Sequence, residues 1–420
     1  MNQLTEGRKP QTKRARFTSL LAFFNFTKNN LDPDLINPCD SPMPIRRIYV
    51  GVDRQEYVVN WTNRMDKRNT VLHAVGSADN KTGYVFGMHL NFDPSLELKK
   101  VDQEALEIDD YELPHPFRKH ARLWLLGDYD ESIDRANKKK RRKNKGPLTE
   151  KIKGTYAEAL SRDDVEVFES LSGFIQLPQK GMQVHAEYTL YGHFFFLKKL
   201  FSGIEKVRFF LDQDSGMRAA CLGAFQPEIQ KRRCDAFYVR INSKMTVPQR
   251  QKALENSRNE FCRVQKMHPE LSKNEVKLFM IMQRIASMVE FGKWKDKWLE
   301  HPFPDMSEPE KSICCLTDYS DYDEDHLAWL YNKASLHAID RFFMQVRRRL
   351  SLLERPIASA GRARRMWYGY SSYNPESIIK VLSIFRTFYN YTQSGKDLKT
   401  PAMRLGLAKG LVKLEDIIYE

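Results

Sequence analysis

The pattern of apolar and polar positions changes character several times along the chain, and those changes divide it. Residues 1–44 are mixed and proline-containing, with one short helical pattern around Phe17–Phe26. They read as a poorly structured lead-in. At Ile45 the pattern turns sharply β-like. The run Ile45-Arg-Arg-Ile-Tyr-Val-Gly-Val-Asp53 ends on an acid and is followed by similar runs at Glu56–Trp61, Val71–Ala78 and Gly83–Phe92. Turn-forming residues separate them (Asn63, Gly76–Asn80, Asn91–Pro94), so a three- or four-strand antiparallel meander is predicted over 45–93.

Residues 94–183 lose this regularity. They contain acidic Glu97–Glu112, Pro-rich Leu113–Phe117 and a basic run, Lys138–Lys145, with seven basic residues in eight. This stretch reads as an insertion or linker. Regularity returns over 184–242. Glu187–Phe201 is apolar enough for a buried helix with Gly203 as its stop, and Lys206-Val-Arg-Phe-Phe-Leu-Asp212 is a short strand ending in acid. A helix from Met217 to Phe225 and a strand over Ala236–Asn242 follow. Strands, helix, strand, helix, strand is the order of an α/β fold with a mixed sheet. Residues 243–325 are charged and read as a second, mainly helical insertion. From His326, the apolar positions Leu336, Ile339, Phe342, Phe343, Val346 and Leu350 keep the i, i+3, i+4 rhythm of one long helix that Pro356 ends. A second helix over Glu376–Tyr391 completes the segment 326–420. No internal repeat is visible.

Composition sharpens this picture at four points. The chain has 420 residues, 41% of them hydrophobic, enough for a sizeable core. Its 68 Lys and Arg against 54 Asp and Glu give a formal charge of +14. That excess favours polyanionic partners, because each neutralised phosphate releases condensed counterions. The longest apolar runs, Leu20–Phe26 and Tyr191–Leu200, fall far short of the roughly 20 residues a spanning helix needs, so no membrane role is expected. The six cysteines, at 39, 221, 234, 262, 314 and 315, include no Cys-x-x-Cys pair. A zinc ribbon is therefore not supported, and reduced thiols in a cytoplasmic protein without a signal peptide are expected.

Three acids stand out by position. Asp53 and Asp212 end apolar strands, and Asp340 follows Ile339 on the later helix; they lie 159 residues (53 to 212) and 128 residues (212 to 340) apart. Only a fold could gather them. Carboxylates at rigid strand ends suit divalent metal, which takes oxygen ligands and in pairs can activate an attacking oxygen and stabilise a leaving one. Acids at strand ends are also ordinary turn formers, so competitors stay open: Asp214 for Asp212, Asp79 and Asp93 for Asp53, and Glu354 for Asp340. Arg347, seven residues after Asp340, lies two turns along and on nearly the same face, where it could hold a phosphate.

These blocks resemble the DDE/DDD transposases of bacterial insertion sequences. The resemblance rests on Ile48-Tyr-Val-Gly-Val-Asp53, Val207-Arg-Phe-Phe-Leu-Asp-Gln-Asp-Ser-Gly216, Asn332 through Asp340 to Arg347, the Phe388–Tyr391 segment and the ending Thr400–Ala408. It covers 45–408, with large gaps at 94–183 and 243–325. It implies a ribonuclease-H-like catalytic core, split over 45–93, 184–242 and 326–420. It also implies Mg2+ (or Mn2+), two ions per site, held by Asp53, Asp212 and Asp340. DNA 3′-end cleavage and strand transfer would follow, on double-stranded element ends and target DNA, by a nucleoid-associated homo-oligomer. Such transposases usually carry Glu as the third acid, where this chain has Asp340, and an N-terminal zinc ribbon or helix-turn-helix. Residues 1–44 show neither pattern, so a chain shortened at its N-terminus is expected. A nuclease of the same fold without strand transfer, and an inactive DNA-binding remnant, are the rival readings.

Candidate DNA-backbone contacts are Arg347, Arg348 and Arg349, the loop residues Arg362, Arg364 and Arg365, and Lys198 with Lys199. Such contacts position DNA without reading sequence. The basic run Lys138–Lys145 is a solvated loop or linker, a further DNA-backbone contact or a nuclear-import signal. Trp367, Tyr368, Tyr370 and Tyr373 either pack locally or stack on unpaired bases, and His185 and His193 read as core or helix-surface histidines before a metal role.

Overall fold

The computed structural model describes residues 45–61, 68–138, 147–160, 175–242, 244–353, 357–358, 366–367, 374–413 and 415. The first acid-ending run continues without interruption through Glu56, so β1 spans Arg47–Val59. Glu56–Trp61 is thus not a strand of its own. β2 (Thr70–Asp79) and β3 (Val85–Leu90) complete the antiparallel meander, while β4 (Phe92–Asp93) pairs away from it with β5 (Met182–Gln183). β6 (Lys206–Asp212) lies parallel to β1, and β7 (Cys234–Ile241) parallel to β6.

The segment 243–325 departs from expectation. Its helices Val247–Met267 and Lys273–Ile285 were predicted in kind, but three strands follow them: β8 (Val289–Phe291), β9 (Asp296–Glu300) and β10 (Lys311–Cys315). β10 joins β7 antiparallel, so the sheet grows to eight strands in the order β3-β2-β1-β6-β7-β10-β9-β8. These strands are short and flanked by Gly and Pro, and their apolar residues are too few to show a period. Residues 94–183 are also more regular than expected, with helices at Leu98–Glu107, Leu126–Lys138 and Leu148–Leu160. Of the basic run, residues 139–145 lie outside the described residues.

Period-two alternation sends the side chains of β1 and β6 to opposite faces. On one face Val50, Val52, Phe209 and Leu211 pack against the helices Ala186–Leu200 and Ser215–Ala224. On the other, Tyr57, Val59, Phe210 and Phe237 pack against Glu324–Lys333, His337–Arg349 and Pro375–Thr387. By parity Asp53 and Asp212 belong to this second face. The Asp340 helix (His337–Arg349) buries Ile339, Phe342, Phe343 and Val346 into it, each 0–2% exposed. Each such side chain contributes about 1.5–3 kcal/mol relative to exposure. Among the described residues, no helix is long and apolar enough to cross a membrane.

The expected long helix from His326 is two helices. Glu324–Lys333 stops, Ala334 is extended (φ −69°, ψ 118°), and a second helix starts at His337. The apolar rhythm runs through the break, which is why pattern alone did not show it. One glycine sets how closely the second helix approaches the sheet: a Cβ on Gly76 would lie 2.8 Å from Ile339 Cδ1 and 2.9 Å from Phe343 Cε1. Gly76 stands opposite Asp53 in the β1–β2 register. Gly76→Ala should therefore destabilise the protein by about 1–3 kcal/mol through overpacking, read as a lowered urea midpoint; an unchanged midpoint would remove the close approach as a constraint.

Candidate active site

β1 and β6 run parallel with Val52 opposite Leu211 as their last matched pair. Asp53 and Asp212 come next on each strand, so they sit side by side where β6 ends and β1 runs on to Val59, with strands about 4.8 Å apart. Asp340 reaches the same place from the first turn of its helix. A cavity of about 480 Å³ is lined by Asp53, Asp212 and Asp340, with Gln55, Arg240, Ser307, Leu336, Phe343 and Arg347 among its other walls. Residues separated by most of the chain thus share one cleft.

The electrostatics of the acids follow from that crowding. Burial pushes the Asp53 carboxyl well above its ordinary range, and the nearby charges of Asp212 and Asp340 push it further. Burial also raises Asp212, with Arg240 pulling it back and Asp214 adding to the rise. Asp340 is pushed up to about 7, first by burial, then by Glu308 and Asp212, against the pull of Arg347. Three carboxyls raised together share a need for positive charge.

The competing acids are occupied elsewhere. Asp214 caps the helix Ser215–Ala224, its Oδ1 accepting from Gly216 N (2.8 Å) and Met217 N (3.2 Å), and its Oδ2 pairs with Arg54. Asp79 accepts from Thr82 N (2.8 Å) and Thr82 Oγ1 (2.6 Å) in the β2–β3 turn. Asp93 accepts from Ser95 N (3.1 Å) and Ser95 Oγ (2.6 Å). All three are turn or cap formers, the role short acids often take. Glu354 lies outside the described residues.

Among the described residues no three His, Cys, Asp or Glu groups already stand gathered about a point that could hold a metal ion. The donors along this cavity nevertheless fit a hard divalent cation: they are carboxylate oxygens whose mutual repulsion a cation would relieve. Gln55, with a buried Oε1 that has no hydrogen-bond partner, lines the same cavity.

The basic candidates separate. Arg347 lines the cavity; Arg348 and Arg349 are exposed on the same helix, and Arg349 Nε donates to Gln345 Oε1 at 2.7 Å. Lys198 is not among the cavity residues. Its Nζ donates to Ala224 O at 2.8 Å and lies 3.3 Å from Glu228 Oε2, holding one helix end to the next. Arg362, Arg364, Arg365, Tyr368, Tyr370 and Tyr373 lie outside the described residues, as does any statement of the Trp367 side chain. His185 stacks on Trp124 with ring centroids 4.1 Å apart, and His193 meets His89 with their Nδ1 atoms 2.7 Å apart. Both are buried and neither lines the cavity.

The residue that sequence reasoning missed is Glu308. It is buried in the loop before β10, where one Oε1 accepts from Leu336 N (2.9 Å) and Ser335 Oγ (2.5 Å). It thereby satisfies an amide at the start of the Asp340 helix, which has no intrahelical acceptor. Its Oε2 accepts from Lys311 Nζ at 2.8 Å, and that Nζ also donates to Ala334 O at 2.9 Å, beyond the end of the preceding helix. Asn80 Nδ2 donates to Ser335 O at 2.6 Å, tying the junction to the meander. Nothing in the Pro-rich loop pattern signals Glu308. Arg240, at the edge of a strand next to the one that carries Asp212, could have been found by applying the strand-end argument to bases.

Comparison with known family models, curated proteins and solved structures finds no match for this chain.

Two outcomes follow from these contacts. Glu308→Ala leaves Lys311 buried without its carboxylate and should cost about 3–5 kcal/mol by chemical denaturation, with Glu308→Gln losing less. Asp340 has its pKa raised to about 7 in the fold, from an unfolded value of about 4. Its contribution is therefore favourable at low pH and is lost as pH rises through 7. In chelator-containing buffer Asp340→Asn should be more stable than the parent by about 1–2 kcal/mol at pH 8, after discounting for partial exposure, with the difference vanishing towards pH 4. A gap that widens on acidification would contradict the electrostatic account.

Proposed function

We propose that this protein is a metal-dependent polynucleotidyl transferase of the transposase type, with a ribonuclease-H-like core. The observation that carries the reading is the convergence of Asp53, Asp212 and Asp340, from two adjacent parallel strands and one packed helix, on a single cavity that also holds Arg347. The sheet order supports it. An antiparallel meander joined through its first strand to two parallel strands is the arrangement expected of such a core.

In this reading Asp53, Asp212 and Asp340 hold two divalent ions of the Mg2+ type. When bound, these supply activation of the attacking oxygen and charge stabilisation of the leaving one. Asp53 and Asp212 are fixed by β1 and β6, and Asp340 by its helix, so the carboxylates are held in place before substrate arrives. Arg347 steadies a non-bridging phosphate oxygen, and Leu336 and Phe343 give the cavity an apolar wall. In the first step water oxygen bonds to phosphorus and the P–O3′ bond breaks, leaving a 3′-hydroxyl and a 5′-phosphate. In the second that 3′-hydroxyl attacks a target phosphodiester, which releases its own 3′-hydroxyl. Partners would be double-stranded element ends and target DNA, bound by more than one copy of the chain.

The test supplies the full-length protein with labelled duplex DNA ending in a 3′-hydroxyl, a target plasmid, and Mg2+ or Mn2+. Joined product is expected, and Asp→Asn at 53, 212 or 340 should each lower its rate about 10³-fold or more, the several kcal/mol that metal charge contributes. Metal-dependent cleavage without joining would point to a nuclease of the same fold. Neither reaction with either metal, alongside salt-sensitive DNA binding, would overturn the enzymatic reading in favour of a binding remnant.

A further inference from the structure

The arginines around the cavity are used differently. Arg54 is taken up by Asp214, which also caps a helix. Deeper in the fold, Arg208 is paired with Asp235 and Arg218 with Asp296. Arg240 stands apart from this pattern. It is half-buried near the end of β7, and among the described residues its side chain makes no hydrogen bond and no ion pair, yet it lines the cavity. β7 is the parallel neighbour of β6, and Val239 lies opposite Asp212 in the register, so Arg240 is one residue past the Asp212 level. Its charge is felt by Asp212 as a downward pull without a salt bridge forming between them. The guanidinium thus stands beside the acids while leaving the Asp212 oxygens unclaimed by it.

Arg347 occupies the other flank, on the Asp340 helix, and its charge acts on Asp340. The cavity therefore has a cation on the Asp212 side and another on the Asp340 side. A guanidinium is always charged and presents a planar fork of donors that matches phosphate oxygens. A strand crossing the cavity offers a phosphate to each.

We propose that Arg240 is a second phosphate clamp, gripping the nucleic-acid backbone on the Asp212 side, so that the substrate of this cavity is a polynucleotide with phosphates on both sides of the acids. The proposal rests on the polynucleotide reading of the site and adds to it where the strand runs: from the Asp340 helix across β1 at Asp53 and the end of β6 to the end of β7.

The test is DNA binding by the full chain, measured by fluorescence anisotropy on a labelled duplex with Ca2+ replacing Mg2+, over a series of salt concentrations. Arg240→Gln should bind roughly tenfold more weakly at low salt, as expected for one lost charge-assisted contact. Its slope of log affinity against log salt should be shallower by about 0.9. Arg240→Lys, which keeps the charge, should hold the slope. Lys231→Gln, an equal charge change at the opposite end of β7, should leave both unchanged. A merely structural role for Arg240 would alter stability and not the slope. Parent protein that binds with a steep salt dependence, while Arg240→Gln shows the same slope, would overturn this proposal alone. Parent protein with no salt-dependent DNA binding would instead overturn the functional reading on which it rests.

Discussion

The site depends first on how closely one helix can lie against the sheet. Ile339 and Phe343, on either side of Asp340 along the helix, rest where Gly76 has no side chain. A larger residue at Gly76 would lift the helix and carry Asp340 away from Asp53, which sits opposite Gly76 on the neighbouring strand. The helix is fixed at its start as well. Glu308 accepts from Leu336 N, Lys311 neutralises Glu308, and Asn80 holds the Ser335 carbonyl. Packing sets the height of the helix, and these hydrogen bonds set where it begins.

That rigidity is costly in charge. Three acids are brought into one half-buried cleft, each with its proton held more tightly than in water. Functional sites often carry this kind of local conflict, with the surrounding fold supplying the stability that the site gives up. Here the opposing charge is arranged around the acids. Arg240 and Arg347 flank them, and Arg54 is engaged with Asp214. A divalent cation would relieve the mutual repulsion of the acids, and guanidiniums of the kind on the flanks suit phosphate.

Much of this was legible in the sequence, for identifiable reasons. The strands that carry Asp53 and Asp212 showed because both have buried faces on either side and so read as near-continuous apolar runs, but only Asp212 ends its strand, since β1 runs on to Val59. The Asp340 helix showed because its buried face keeps a strict helical rhythm. What did not show depends on contacts distant in sequence. The break at Ala334–Leu336 is satisfied by Glu308 and Asn80, 28 and 255 residues from their partners. The strands β8 to β10 are three to five residues long, too short for a period to register. Lys198 looked like a surface cation, but its ammonium is engaged by Ala224 O and Glu228. Basic charge in a sequence does not say which groups are already spoken for. Asp214 was a fair rival to Asp212 until its cap and its pairing with Arg54 were visible.

The central claim is that Asp53, Asp212 and Asp340 form one divalent-cation site. Titration of the full chain with Mn2+, followed by calorimetry and by the electron paramagnetic resonance signal of the free ion, addresses it without needing substrate or turnover. Saturable binding at two ions per chain is expected, with Asp212→Asn and Asp340→Asn each reducing the stoichiometry or weakening the affinity at least tenfold while the fold persists. Binding unchanged in both variants, or no saturable Mn2+ binding by the parent protein, would contradict it.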